Sequence, residues 1–250
     1  MAFGTHWESA SLTGPGFRQW EPDNTHPDVA YLREAERLNG RAAWIARNVD
    51  IVSGAKRAII DSVIGTGIVT STQAIDRSGN PEDDFSQEFD TQFEDWFEES
   101  DISADLDFQD MLRMVLGGSM ELGHGFLVER FAKDGDVREG ECPLRYELVS
   151  SDQLDTYKNE VRPDGNSIIA GVEVDADYRR RGYWFYTAHP DVLHPTRVFE
   201  SERIPAERVI DLRRPAGPHS VRSVSWFAPL VRAARHITDY RVDGIRNINT

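Results

Sequence analysis

Between Ser78 and Leu112 the chain carries thirteen carboxylates and neither Lys nor Arg, yet Phe89, Phe93, Trp96 and Phe97 recur there at the spacing of one helix face. A disordered acidic tail is poor in aromatics, whereas an apolar stripe of helical period has to be buried or covered. The segment is therefore expected to fold as an acidic helix over about 85–99 with an aromatic side. Such a surface repels phosphate, which argues against ordinary nucleic-acid binding by this half of the chain.

The rest of the charge is unevenly placed. Of 250 residues, 43 are acidic and 28 basic, for a formal net charge of -15. From Tyr178 to Arg246, however, thirteen arginines stand against seven acids, with no lysine. Guanidinium groups pair bidentately with carboxylates, so the acidic and arginine-only segments are suited to meet, within a subunit or between subunits. The single cysteine, Cys142, has no intramolecular partner and no metal-ligand neighbours, as in a reducing compartment. Residues 1–17 have neither the basic region nor the apolar core of a secretion signal, and the best spanning candidate, Ile51 to Val69, is interrupted by Lys56, Arg57 and Asp61. No membrane association is expected.

Periodicity and punctuation divide the chain. Residues 1–27, with Trp7, Phe17 and Trp20 among Gly, Pro and Ser, are either a floppy leader or an arm whose aromatics dock on a neighbour. Helices are expected over about 28–38 and 41–48, divided at Asn39-Gly40, and over 52–64, ended by Gly65-Thr66-Gly67. Ile68 to Ser71 reads as a short strand. Asp107 or Ser103 is placed to cap a further helix carrying Phe108, Met111, Leu112, Val115 and Leu116. Strand patterns follow at 126–131, 145–149, 168–174, 183–187 and 208–212, with hairpin signals at Asp134-Gly135 and Asp164-Gly165. Helix returns from Ser225 or Trp226 to Ile245. The fold class is α+β: N-terminal helices, a central antiparallel or mixed sheet, and a C-terminal helix.

Signatures of chemistry fail one after another. There is no phosphate loop of the Gly-x-x-x-x-Gly-Lys-Ser/Thr form. Gly65-Thr66-Gly67 follows a helix and lacks the third glycine of a dinucleotide site, and Gly117-Gly118-Ser119-Met120-Glu121 lacks the final glycine of a nucleophile elbow. His189 and His194 span Pro190, so they do not share a helix face. His124, between Gly123 and Gly125, reads better as a structural imidazole at a turn than as a reactive one. Asp83-Asp84 and Asp105 with Asp107 could bind Mg²⁺, but clustered acids are more simply a solvated face. No catalytic, cofactor or metal residue is assigned.

From Arg41 onward a series of blocks stands in a fixed order. They are Arg41 to Asn48, Val63-Ile64-Gly65-Thr66-Gly67-Ile68, Phe93-Glu94-Asp95-Trp96, Met111 to Val128 and Gly171-Val172-Glu173-Val174-Asp175. After them come Tyr183-Trp184-Phe185 with His189-Pro190, Arg203 to Ile210, and Val221 to Leu230 followed by a helix with Asp239-Tyr240. In this order they resemble the lambda-type family of tailed-phage portal proteins. The chain departs from the family pattern in three places. Asp-Gly-Glu before the central strand is replaced by Leu122-Gly123-His124-Gly125, the His after the Pro-Ala strand is Asp211, and Arg-Gly in the last block is Arg222-Ser223.

The resemblance implies a structural role and no enzyme. Portal subunits stand in a generally dodecameric ring at one capsid vertex, where double-stranded DNA passes nonspecifically during packaging and ejection. Their partners are copies of themselves, the terminase large subunit, head-completion or connector proteins and the capsid protein. The protein is thus expected in the virion of a bacteriophage, assembled in the host cytoplasm. Family members run longer, so the resemblance implies an arm over 1–27, a wing-like region over 28–224 and the start of a stem-like helix over 225–250. On charge alone, Glu94, Asp95 and Glu98 are candidates to face Arg179, Arg180, Arg181, Arg213 or Arg214 across a subunit boundary. Arg232, Arg235, Arg241 and Arg246 are candidates to face the channel or a partner. Two other classes fit the composition: a monomeric acidic adaptor or chaperone for a basic partner, and a divalent-metal hydrolase using Asp83, Asp84, Asp105 or Asp107.

Overall fold

Apolar residues spaced by three and four fix the helical part. A computed structural model describes residues 25–133, 142–187 and 200–248, with the side chains of Pro27 and of residues beyond Arg241 left aside. Helix α1 (Pro27–Asn48) opens on Pro27 and buries Ala42, Ile45 and Ala46 on one face, with its C-cap Val49 buried beyond them. It is a single helix, so the expected break at Asn39-Gly40 is absent. Gly40 sits on the exposed side with nothing near it, and packing of the buried face overrides its poor propensity. Helix α2 (Asp50–Ile64) ends at Gly65, whose φ of 58° provides the expected stop.

Ile68 to Ser71 is not a strand. This stretch and the residues after it run beside helix α3 (Asp83–Glu98), held by side chains instead of a ladder: Thr72 donates from its N–H and hydroxyl to Asp90, and Ala74 N–H donates to Ser86. Helix α4 (Phe108–Leu122) is capped by Asp107, whose carboxylate accepts from Asp110 N–H at 2.7 Å, while Ser103 bonds to Asp101. Its Leu116 and Met120 pack with α1, α2 and Phe227, and its Met111 and Val115 pack on Leu127. One helix therefore serves as the wall shared by the helical layer and the sheet.

Gly123, with φ 86°, turns the chain into β1 (His124–Phe131), the middle of a three-stranded antiparallel sheet between β2 (Leu144–Ser150) and β8 (Val209–Arg213). A second antiparallel sheet runs in order from β3 (Glu160–Val161) through β4 (Ser167–Ile169), β5 (Val172–Val174) and β6 (Arg180–Tyr186) to β7 (Ser201–Pro205). Phe126, Val128 and Val149 of the first sheet meet Val172, Val174, Tyr183, Phe185 and Ile204 of the second in one core. The expected strand over 168–174 is two strands. Ala170 and Gly171, both at positive φ, turn the chain between them, and the Val-rich pattern hid that turn. Asp164-Gly165 does form a hairpin turn, between β3 and β4. The strands β3 and β7 had no sequence signal, being short and polar. The last helix, α5 (Val231–Ile248), starts later than Ser225, because Ala228–Leu230 forms a short 3-10 turn before it. Residues 1–24, Asp134-Gly135, His189 and His194 lie outside the described residues.

Two glycines separate propensity from packing. Gly40→Ala is expected to raise unfolding free energy by about 0.5–1 kcal/mol, since it removes backbone freedom without a clash. At Gly125 a Cβ would overlap the Val115 carbonyl, so Gly125→Ala is expected to cost about 3 kcal/mol or more. Denaturant titration of the two variants checks both signs.

Candidate functional site

Strand β8 brings Asp211 beneath the second sheet, where its side chain is nearly inaccessible and has four partners. His124 Nδ1 lies 2.8 Å from one oxygen; the other accepts from the Tyr183 hydroxyl at 3.1 Å and faces Arg213 at 3.4 Å and Arg180 at 3.6 Å. On the far side of the imidazole, Nε2 accepts from the Ser223 N–H at 2.9 Å, which places the proton on Nδ1 and makes the ring a neutral donor to Asp211. Complete burial pushes His124 down to about 4, against the opposing pull of Asp211. Burial alone would raise Asp211, but its hydrogen bond to His124 and the two arginines outweigh it and lower the carboxyl below its usual value. With His124 neutral above pH 4, Arg180 and Arg213 are the charges that hold Asp211 ionised. Arg213 is itself lowered by burial and by the nearby like charge of Arg180.

A similar arrangement anchors the start of α1. The carboxylate of Asp28 accepts from the Ser220 hydroxyl and from the N–H groups of Val221 and Arg222, all between 2.8 and 3.0 Å. Arg222 is buried against Tyr31, with a guanidinium-to-ring distance of 5.4 Å. On the second sheet, buried Glu173 is held by Arg203 at 2.7 Å and by Asn166, with Arg162 3.9 Å away. These interactions have the form of joints, and the one at Asp211, with Tyr183, Arg180 and Arg213, also lines a cavity of about 580 Å³. Among the described residues no group of three or more His, Cys, Asp or Glu is arranged to hold a metal, and no helix is long and apolar enough to cross a membrane.

The candidate interface residues divide into two groups. Arg180 and Arg213 are tied to Asp211, and Arg181 pairs with Asp175 at 2.7 Å, so these three are engaged inside the subunit. Arg179 and Arg214 are exposed; neither has a carboxylate partner among the described residues, and Arg214 lies over Trp226 at 5.7 Å. Glu94, Asp95 and Glu98 are exposed on α3 and unpaired among the described residues. Along α5, Arg235 pairs with Asp239 at 3.1 Å and Arg241 with Asp50 at 2.9 Å, both as exposed and therefore weak pairs, while Arg232 has no such partner among the described residues. The side chain of Arg246 lies outside the described residues.

Helix α3 is the exposed element. Rings run along it and into the body as a ladder: Phe85 to Phe89 at 6.4 Å, Phe89 to Phe93 at 6.5 Å, Phe93 to Trp96 at 5.4 Å, Trp96 to Phe108 at 5.3 Å and Phe108 to Tyr146 at 5.7 Å. Trp96 fixes the anchored end by donating to the Leu144 carbonyl at 2.8 Å. The other end overhangs, with Phe85 54% and Phe89 47% exposed. Periodicity revealed the stripe but not which half of it finds a partner inside the subunit.

The joint at Asp211 sets an acid limit on the fold. The unfolded chain binds a proton at His124 near pH 6.5, and the folded chain only near pH 4. Stability from this group is full above pH 6.5 and is lost as pH falls toward 4, at about 1.4 kcal/mol per pH unit. In chemical denaturation from pH 7.5 to 4, His124→Asn is expected to show a shallower loss than the parent; an equal slope would contradict the buried neutral imidazole.

Residues 13–243 match the family described as "Phage portal protein, lambda family". Over 215 residues, 85% of this chain, it is 25% identical to a "Probable portal protein" of Halomonas phage phiHAP-1, and it spans 41% of that protein's length. Among solved structures, a chain of the "Neck of empty GTA particle computed with C6 symmetry" covers 81% of this chain and 41% of its own length, at 11% identity and a TM-score of 0.39. The family match takes in α1 to α4, both sheets and α5 as far as residue 243, with the ordered blocks from Arg41 to Tyr240 falling inside it: the chain belongs to the lambda family of phage portal proteins.

Proposed function

We propose that the chain is a structural subunit of a portal ring at the packaging vertex of a bacteriophage head, and that double-stranded DNA passes through this ring during packaging and ejection. The observation that carries this reading is the family match over residues 13–243. On this reading the part from residue 28 to residue 224 is the wing and α5 begins the stem. The subunit performs no catalysis itself; energy for translocation comes from a terminase ATPase docked on the ring, and head-completion proteins later take its place. Assembly occurs in the host cytoplasm and the product resides in the virion.

The charge supports a conduit. A chain of net charge -15 does not gain affinity for DNA by releasing its counterions, so DNA slides past without adhering. The same charge opposes assembly, because copies repel one another until salt screens them beyond about 10 Å at 0.1 M. Arg179 and Arg214, without carboxylate partners among the described residues, supply opposite charge at a subunit boundary facing Glu94, Asp95 or Glu98. Arg213 is unsuited to that role, since Arg213→Glu would set a carboxylate against Asp211 and damage the fold first.

Negative-stain imaging and native mass measurement of the full-length chain are expected to show closed rings, with the ringed fraction rising between about 0.01 and 0.15 M salt as the Debye length falls from about 30 to 8 Å. The same material should not retain linear double-stranded DNA at 0.15 M salt. Solitary particles under all conditions would overturn the proposal.

A further inference from the structure

The subunit carries two surfaces that are chemical complements and are built on different parts of the fold. One is the overhanging end of α3. Phe85 and Phe89, 54% and 47% exposed, form an apolar knob that the described chain leaves about half uncovered. Asp83, Asp84 and Glu88 surround it, and none has a basic partner among the described residues. An isolated aromatic on a surface is ordinary, but a tilted pair continuing a half-buried ladder and ringed by acids without basic partners among the described residues is a surface prepared for a partner.

The other is a cleft of about 760 Å³ between α1 and α5, floored by Leu38, Trp44 and Val231 and edged by Arg41, Arg232 and His236. No carboxylate lines it, in a chain where acids outnumber bases by 43 to 28. Arg41 and Arg232 have no carboxylate partner among the described residues, and Trp44 is 41% exposed. The cleft lies within the volume range of ligand and side-chain pockets, and a helix bearing two aromatics one turn apart is the usual occupant of an apolar groove between helices.

We propose that the knob of one copy seats in the cleft of the next. This rests on the ring reading above and names the surface through which the ring closes. Charge complementarity selects the occupant: an acid-edged aromatic helix end fits a base-edged apolar cleft, and both belong to one sequence. Phe85 and Phe89 supply the affinity by leaving water, while Asp84 and Glu88 against Arg41 and Arg232 set orientation and approach, because exposed ion pairs add little free energy. The knob and the cleft share no residue, so the contact is heterologous, head to tail, and propagates until rotation closes it.

Such an interface can be tested by complementation in the full-length chain. Phe85→Ser/Phe89→Ser removes the knob and leaves the cleft; Arg41→Glu/Arg232→Glu spoils the cleft and leaves the knob. All four residues are exposed in the single subunit. Native mass measurement is expected to show at least a tenfold loss of rings for each variant alone, with single chains in their place. Mixed one to one, the two variants are expected to form a species of two chains, one of each, because each mixture contains a single working interface. Adding Asp84→Arg/Glu88→Arg to the cleft variant should restore rings.

If the parent makes rings and either variant does so equally well, the knob and cleft do not form the boundary and the ring reading stands. If the variants stay apart and also fail to pair when mixed, the two faces do not meet each other and the proposal is overturned. If the parent itself stays solitary at every salt and concentration, the ring reading fails first, and this interface with it.

Discussion

A carboxylate shut away from water must be compensated in place, and in this protein the position of Asp211 organises much of the rest. Its partners come from the start of β1, from β6 and from its own strand, so the two sheets cannot separate without stranding a charge. Through His124 the same joint reaches Ser223 and the 220–225 segment, and Asp28 holds that segment from the opposite side against α1. Breaking a buried pair of this kind by removing one partner costs several kcal/mol, about 3–5, although the intact pair adds little net stability. Its effect is to specify one arrangement: helical layer, sheet and returning loop have to arrive in register together.

Much of the scaffold was legible before the structure. The helical course of 41–48, the cap of α4 at one of the two residues expected, Asp107, and the glycine stop after α2 all follow from local rules. The errors share a cause, since each local signal was outweighed by something distant. Gly40 stays helical because of what Ala42 and Ile45 touch, and the chain just after the 68–71 run is held to α3 at Thr72 and Ala74 by Asp90 and Ser86. The Asp211 joint was invisible because its members are 87 and 28 residues apart in the chain. A signal existed nonetheless. Three of the residues noted as departing from the resembled pattern, His124, Asp211 and Ser223, are joined through the His124 ring, which bonds to Asp211 on one side and accepts from the Ser223 N–H on the other.

Charge segregation along the chain does not translate directly into an interface. Several arginines of the basic segment settle on acids close to them in space, Arg181 on Asp175 and Arg203 on Glu173, leaving few for any other purpose. Arg208 and Arg222 are taken up by a backbone carbonyl and by Tyr31, and the exposed arginines left without an acid neighbour among the described residues are Arg179, Arg214 and Arg232, which composition alone could not reveal.

The ladder of rings along α3 also has a mechanical consequence. Half of this helix is clamped by Trp96 and Phe108, and half projects with only Thr72 and Ala74 bonded to it. A short helix without a packed face is marginal in water, so the projecting turns open at lower free energy than the anchored ones. Whatever covers Phe85 and Phe89 therefore also completes the folding of that tip, and part of the driving force for docking is spent locally on ordering it. Contacts formed this way release readily and re-form.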